Sequence, residues 1–129
     1  MLYMKKLKIV YKKHIPFKGY KAMTFFNWMI IRKEYKEKVG QKTINHESIH
    51  QAQAYDFRIG FFGYFLFYFL YLLEWIIKLP WFLFGYTPYY SISFEQEAYN
   101  HEYDYTYLDN RKRFSWLKYV FKVLKNENS

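Results

Sequence analysis

Short runs of alternating apolar and polar residues open the chain. Residues 7–12 follow a partial period of two, which is typical of a β-strand. Pro16 and Gly19 then indicate a turn. Residues 22–35 are rich in aromatic and branched side chains, which favours one long strand or two short ones. With a loop around Gly40 after them, these segments predict a short N-terminal β-sheet.

The pattern becomes helical from Thr43 onward. Thr43 is a suitable N-cap for the helix, and Asn45 is the alternative. Gly60 and Gly63 weaken the helix at its far end. The side chains on or near one face of this predicted helix are those of His46, His50, Gln53 and Phe57.

A long apolar run follows this helix. Residues 59–73 contain no charged side chain, and extending the run to Ile77 gives 19 residues with only Glu74 as a charge. A membrane-spanning helix needs roughly 17–25 apolar residues, so the run lies at the threshold for crossing a bilayer. Two prolines and a glycine interrupt the segment 79–90 beyond it.

Two more helices are predicted after the apolar run. Residues 91–110 have helical spacing and open at Ser91 or Ser93. In residues 111–129 apolar and basic side chains lie on opposite faces, which predicts a basic amphipathic C-terminal helix. Its apolar face comprises Phe114, Leu117, Phe121 and Leu124, and its basic face comprises Lys118, Lys122 and Lys125.

Composition excludes several classes of protein and of site. The chain is 52% hydrophobic and 26% aromatic, which excludes intrinsic disorder. It contains no cysteine, so disulfides, thiolate zinc sites, iron–sulfur clusters and cysteine nucleophiles are excluded. Any metal must therefore be held by histidines and carboxylates.

The net charge of +9 is unevenly distributed along the chain. Residues 1–42 carry 12 Lys and Arg against 2 Glu, and residues 111–129 carry 6 against 1 Glu. Residues 43–110 carry 2 basic side chains against 8 acidic ones. Basic flanks beside apolar surface indicate contact with anionic lipid headgroups or nucleic acid, unless they are simply a solvated surface. A lipid membrane surface is the partner we expect, and nucleic acid is not expected.

The N-terminal residues indicate where the chain is located. They are basic but have no uninterrupted apolar stretch of roughly 7–15 residues and no small-residue cleavage site. We therefore expect no cleavable signal peptide. With the apolar run and the basic flanks, this predicts a membrane-associated protein on the cytoplasmic side.

Residues 46–50 read His-Glu-Ser-Ile-His, which is the HExxH pattern. Two histidines at i and i+4 of a helix can both reach one metal ion, and zinc accepts imidazole nitrogen at about 2.0–2.1 Å. Glu47 is rotated away from the two rings, where it can touch a water molecule. Zinc acidifies such a water and the carboxylate takes its proton, which predicts metal-assisted hydrolysis.

A zinc site needs a third protein ligand, and several residues are candidates. The longer pattern HExxHxxGxxH is absent, because Gln53 and Asp56 stand at the required glycine and histidine positions. The carboxylate candidates lie further along, where residues 95–98 have the form ExxA. They are Glu95, Glu97 and Glu102, and the remaining histidines are His14 and His101.

HExxH followed by ExxA on a second helix resembles the gluzincin-type zincin metallopeptidases, and the chain is similar to small bacterial zincin-like proteins over about residues 22–105. The resemblance implies that Zn²⁺ is bound by His46, His50 and Glu95. It also implies that Glu47 is the general base, and that the substrate is a peptide or protein. The small Ala98 would let the two helices pack closely beside the metal. Glu97, about 200° around the same helix from Glu95, is the alternative ligand.

The supporting residues of such a site have several candidates. Side chains that could orient the imidazole rings are those of Asn45, Gln51, Asn100 and Asp104. Side chains that could stabilise an oxyanion are those of Tyr99, Tyr103 and His101. The strand segment 22–35 could pair with an extended peptide or serve as a core strand, and these two interpretations are compatible.

The proposed ligands constrain the apolar run. If His50 and Glu95 meet at one metal ion, a single membrane crossing between them would place its ends roughly 30 Å apart. Residues 59–90 must therefore go out and return, as a membrane hairpin or as a helical hairpin in a soluble core.

Together these patterns predict one α+β domain over residues 1–129. The resemblance implies that it is a small zincin-like domain, with a short N-terminal sheet, an HExxH helix, an apolar helical hairpin and a helix that carries ExxA. Its parts are a basic β-rich segment 1–42, metal-site helices 43–110 with the apolar insertion 59–90, and a basic helix 111–129. The predicted function is that of a zinc-dependent metallopeptidase associated with a membrane. The alternatives are a non-catalytic zincin-like zinc-binding protein and a basic membrane-surface or nucleic-acid-binding module.

Overall fold

A computed structural model describes residues 7–14 and 22–125. Three strands come first: β1 (Lys8–Lys12), β2 (Ala22–Phe25) and β3 (Trp28–Arg32). Four α-helices follow: α1 (Gln41–Tyr55), α2 (Phe62–Lys78), α3 (Ser93–His101) and α4 (Tyr107–Asn110). Short 3₁₀ helices lie at Lys33–Tyr35, Leu79–Phe84 and Ser115–Tyr119. The predicted α+β class is confirmed.

The three strands form one small sheet with the order β1-β3-β2. β1 pairs with β3 in parallel, and β2 pairs with β3 as an antiparallel hairpin. Met29 and Ile31 of the central strand β3 are buried and two residues apart, so they point to the same face. The predicted N-terminal sheet is thus confirmed, whereas the turn predicted at Pro16 and Gly19 lies outside the described residues.

The N-cap of helix α1 lies three residues before Thr43, the first predicted N-cap. Gly40, in an extended conformation, is its N-cap, so Thr43 and Asn45 lie inside the helix and the N-cap prediction is wrong. The Asn45 amide instead donates hydrogen bonds to backbone carbonyls beyond α3, among them that of Glu102. This side chain therefore serves a tertiary contact instead of a cap.

Helix α2 packs closely against the end of α1. A Cβ atom at Gly63 would lie 2.5 Å from the backbone oxygen of Ala54, so a side chain at this position has no room. The inner side of α2 buries Tyr64 and Phe67. The buried residues of the resulting core cluster are Ala54, Tyr64, Phe67, Ile92, Phe94 and Trp116.

The chain leaves the core along α2 and returns without a second α-helix. The 3₁₀ helix Leu79–Phe84 continues α2, and Gly85 stops it in the left-handed conformation at φ +84°. Residues 86–92 then lead back to α3. The run does go out and return, but the predicted helical hairpin is wrong in its return limb, because Pro80, Gly85 and Pro88 interrupt helix formation.

The last two predicted helices are also shorter than expected. The segment 91–110 divides into α3 and α4, and within residues 111–125 the regular structure is the 3₁₀ helix Ser115–Tyr119. The predicted amphipathic helix 111–129 is therefore wrong in its described part. A backbone carbonyl that would otherwise bond within a helix accepts tertiary hydrogen bonds instead. The side chains of Lys78 and Gln96 both donate to the carbonyl of Lys122.

A buried ion network fastens the C-terminal segment to the helices. The Arg111 guanidinium lies 2.7 Å from Asp56 at the end of α1 and 2.5 Å from Glu97 of α3, and all three side chains are fully buried. Two carboxylates around one guanidinium satisfy most of its donors, which is the condition under which a buried charge is tolerated. The network fixes α1, α3 and the chain after α4 relative to one another.

The contact between α1 and α2 yields a first prediction. Gly63→Ala forces a methyl group against the Ala54 carbonyl, so we expect the free energy of unfolding to fall by about 1–3 kcal/mol. Gly40→Ala is the matched control, since a Cβ there meets no atom within 4 Å, and we expect a loss below about 1 kcal/mol. Urea unfolding of both variants measures the difference. Equal losses would contradict the close helix contact.

Candidate metal centre

Three side chains from two helices converge at one point. His46 and His50 come from successive turns of α1, and Glu95 comes from the first turn of α3. The Nε2 atoms of both histidines lie 3.1 Å from Oε1 of Glu95. Ligand atoms of the three residues all lie within 4.8 Å of one another, so one ion could touch all of them.

The spacing between Glu95 and each histidine is compatible with a zinc ion. In a tetrahedral shell with metal–ligand distances of about 2.0–2.1 Å, neighbouring ligand atoms lie about 3.3–3.4 Å apart. The nitrogen–oxygen separations of 3.1 Å are within a few tenths of an ångström of that value. Two imidazoles and one carboxylate are also a donor set that zinc accepts in catalytic sites. The residues present therefore fit the metal that the motif implies.

The outer ring nitrogens fix which tautomer each histidine adopts. Nδ1 of His46 donates to Oε2 of Glu102 at 2.8 Å, and Nδ1 of His50 donates to Oε1 of Gln53 at 2.7 Å. The Gln53 amide is itself held, because its nitrogen donates to the carbonyl of Phe94. With Nδ1 carrying a proton, each Nε2 can present its lone pair to a metal ion.

Electrostatics favour an ionised carboxylate at the centre. Burial by itself raises the pKa of Glu95, but the charge of His50 and hydrogen bonds from His46, His50 and Tyr71 hold that pKa well below its usual range. Burial lowers the pKa of His50, yet the charges of Glu95 and Glu47 and the hydrogen bonds outweigh it and raise that pKa to about 9. A metal ligand must be deprotonated, so Glu95 meets this condition as it stands, whereas His50 gives up its Nε2 proton when a metal ion binds.

Glu47 lies beside this cluster on the wall of an open cavity of about 350 Å³. Its side chain is half-buried, and in the part of the chain that the structure describes no hydrogen bond or ion pair holds its carboxylate. The cavity is walled by α1, α2 and α3, and Thr24 of the edge strand β2 also lines it. A carboxylate in this position can contact a water molecule or a substrate in the cavity.

The residues predicted to orient the imidazoles make no hydrogen bond to either ring within the described part of the chain, so that prediction is wrong. Asn45 donates to the carbonyls of residues 101, 102 and 104 and thereby positions the segment that carries Glu102. The Gln51 amide donates to the carbonyl of Phe26 and accepts a hydrogen bond from Tyr64. Asn100 is exposed.

The two residues that do orient the rings are Gln53 and Glu102. Gln53 is three residues after His50, which places the two side chains side by side on α1. Glu102 directly follows α3 and is seven residues, or about two helical turns, after Glu95. The two side chains therefore lie on the same side of the helix. Both spacings are visible in the sequence, but many polar pairs share them.

Tyrosines supply the hydrogen-bond donors of the cavity. Tyr99 lines it and contacts the His46 ring, with centroids 4.5 Å apart. Burial is the main cause that raises the pKa of Tyr99 to about 12, so its hydroxyl stays protonated and can donate. Tyr71, which sequence reasoning missed, donates to Oε2 of Glu95 at 2.6 Å. The other predicted oxyanion residues, Tyr103 and His101, are not among the residues that line the cavity.

Glu97 faces away from the cluster, so the alternative ligand lies outside it. It accepts hydrogen bonds from Arg111, Tyr107 and Gln53. The separation of about 200° around a helix explains why Glu95 and Glu97 have separate partners. The two other histidines, His14 and His101, also lie outside the cluster.

The cluster predicts one zinc ion per chain. His50→Ala removes one of three protein ligands, so we expect zinc affinity to fall by more than about 100-fold, beyond the loss typical of a supporting residue. The matched control is His14→Ala, an exposed histidine outside the cluster. Elemental analysis after dialysis measures the zinc content, and unchanged content in His50→Ala would contradict the site.

The two glutamates of α3 are distinguished by a second pair of variants. Glu95→Gln is expected to lose zinc. Glu97→Gln is expected to retain zinc but to reduce the free energy of unfolding by about 3–5 kcal/mol, because it removes a charged partner of the buried Arg111. Zinc content and urea unfolding of both variants provide the test. Zinc loss in folded Glu97→Gln together with zinc retention in Glu95→Gln would reverse the assignment.

Comparisons with known proteins do not identify the chain. No model of a known protein family, no curated protein and no solved structure matches it.

Proposed function

We propose that this chain is a zinc-dependent metallopeptidase in which Glu47 is the general base. The observation that carries the proposal is the convergence of His46, His50 and Glu95 beside the Glu47 carboxylate in an open cavity. Structural zinc sites are closed by four protein ligands, whereas catalytic sites have three and leave a position open. Three ligands at a cavity wall favour the catalytic class.

The division of labour follows from the positions of the side chains. Zinc bound by these ligands would act as a Lewis acid, which acidifies water and polarises a carbonyl group. Glu47 takes a proton from the attacking water as the water oxygen bonds to the carbonyl carbon. It then delivers that proton to the leaving nitrogen as the carbon–nitrogen bond breaks. The proton balance closes, and Glu47 returns to its ionised state.

The position of Glu47 suits a base better than a ligand. It follows His46 by one residue, so its side chain is rotated by about 100° around the helix axis. Its charge contributes to the raised pKa of His50, which means that the carboxylate lies near the cluster without being part of it. A proton acceptor close to the reacting atoms and without a competing hydrogen bond is what general-base catalysis requires.

The sheet supports a peptide as the substrate. β2 pairs with β3 on one side, and within the described residues its other edge has no partner strand. Thr24 in the middle of β2 lines the cavity, and its buried hydroxyl has no hydrogen-bond partner in the described part of the chain. An extended peptide could add to this edge through backbone hydrogen bonds, which require little sequence preference.

Tyr99 is the donor that we assign to the developing oxyanion. Its ring lies against His46, and Tyr99 is one of the residues that line the cavity. Removing one such donor typically lowers catalysis by about 10²–10³-fold. These assignments also agree with the resemblance of the two motifs to the gluzincin-type metallopeptidases, which is part of the same proposal.

The mechanism predicts the behaviour of Glu47→Gln. The amide keeps the shape of the side chain but removes the proton acceptor, so hydrolysis should fall by at least about 10²-fold while zinc is retained. Zinc content and cleavage of casein or a quenched-peptide library are measured on the same preparation. Glu37→Gln, an exposed acid before α1, is the matched control and should keep full activity.

Three outcomes would contradict this assignment, each in a different way. Equal cleavage by Glu47→Gln and the wild type would exclude Glu47 as the base. Loss of zinc from Glu47→Gln would make it a ligand. A wild type that binds zinc and cleaves none of the substrates would favour the alternative of a zinc-binding protein without turnover.

A further inference from the structure

The outer side of α2 is apolar and exposed along its whole length. Five residues at helical spacing, each between 51% and 69% exposed, form this side, and three residues of the following 3₁₀ helix are 65–81% exposed. We call these eight residues the apolar face: Phe62, Phe65, Phe69, Leu72, Ile76, Phe82, Leu83 and Phe84. Soluble monomers rarely expose a continuous apolar patch of such length, so this surface requires a partner.

Exposed lysines border one end of the apolar face. The last described residues run beside the turn that follows the 3₁₀ helix, where the amide of Thr87 donates to the carbonyl of Leu124 at 2.7 Å and Tyr86 pairs with Lys125. Lys118, Lys122 and Lys125 are exposed in this segment, and we call them the lysine rim. Between them lies an almost fully exposed aromatic ring, that of Phe121. Residues 111–125 contain no acidic side chain.

We propose that the apolar face lies flat on a membrane and that the lysine rim contacts anionic lipid headgroups. An apolar surface with cations at its border complements an anionic lipid surface in both hydrophobicity and charge. Trp75 and Trp81 are partly exposed on the same α2–3₁₀ segment, and indole rings favour the headgroup region.

The contacts of the inner side of α2 indicate why the helix lies flat instead of crossing the membrane. By length and composition, the segment Phe62–Phe84 could span a bilayer. However, Glu74 accepts hydrogen bonds from Ser93 of α3, and Lys78 donates to the carbonyl of Ser91. The Tyr71 hydroxyl donates a hydrogen bond to Glu95 of α3. A spanning α2 would carry α3 and its buried acids into hydrocarbon, which is strongly unfavourable.

A second copy of the chain is a poorer partner for this surface. Two copies that pair through the same patch form a two-fold interface, in which each patch meets its own duplicate. The lysine rims would then border a common interface with charges of the same sign and no acidic side chain from residues 111–125 to compensate them. An anionic lipid surface covers the apolar face and compensates the lysines together.

The test is co-sedimentation of the full chain with lipid vesicles. One set contains phosphatidylcholine alone, and the other contains phosphatidylcholine mixed with phosphatidylglycerol. We expect binding to the anionic vesicles to be at least about tenfold stronger, since each lysine near such a surface contributes roughly fivefold. It should weaken at about 1 M salt, where the Debye length falls to about 3 Å.

Two sets of exposed-residue variants separate the apolar face from the lysine rim. The triple variant Lys118→Glu, Lys122→Glu, Lys125→Glu should lose at least about tenfold in binding to anionic vesicles. Its matched control, Lys33→Glu, Lys36→Glu, Lys38→Glu, has the same net charge and should lose clearly less. The double variant Phe82→Ser, Phe84→Ser should bind both vesicle types more weakly, by at least about tenfold. Circular dichroism of each variant confirms that it is folded.

Other results would overturn the proposal. Absence of binding to either vesicle type would exclude the membrane as partner. Equal losses in the two triple variants would show that binding depends on net charge and not on the position of the lysine rim. A dimer in vesicle-free solution that Phe82→Ser, Phe84→Ser dissociates would show that a second copy covers the apolar face.

Discussion

The buried carboxylate of Glu95 is the interaction on which the rest of the structure depends. It is 4% exposed, and a charge in such a position is tolerated only when it is paired and hydrogen-bonded. Its partners come from two other helices, His46 and His50 from α1 and Tyr71 from α2. One side chain thus holds three helices around a single point, which is also the point where a cation can bind.

A second buried charge cluster fixes the rotation of α3. Glu97 faces the opposite side of this helix and pairs with Arg111, which also binds Asp56 at the end of α1. Rotating α3 about its axis would leave both glutamates unpaired in the interior. The ion pair of Glu97 with Arg111 on the opposite side of α3 therefore helps to hold Glu95 in its position. α2 in turn presents Tyr71 to the centre, while its opposite side forms the exposed apolar face.

The sequence predicted those features that depend on local spacing. The helical pattern from Thr43 onward predicted the helix, the i,i+4 histidines predicted that two imidazoles lie together on it, and the resemblance of ExxA to the gluzincin motif implied that Glu95 joins them. The short sheet and the long apolar run were visible as periods of two and as an uninterrupted apolar stretch. The misprediction of the C-terminal helix depends on tertiary hydrogen bonds. Gln96 and Lys78 capture carbonyl groups of the C-terminal segment, which therefore does not form the helix that its amphipathic pattern favours.

X-ray absorption spectroscopy at the zinc edge, on purified wild-type chain, tests the central claim most directly. The account predicts one zinc ion per chain with nitrogen and oxygen ligands at about 2.0–2.1 Å and the outer-shell scattering of two imidazole rings. It would be contradicted by a shell that contains no imidazole, by one with more than two imidazoles, or by a folded chain that takes up no zinc.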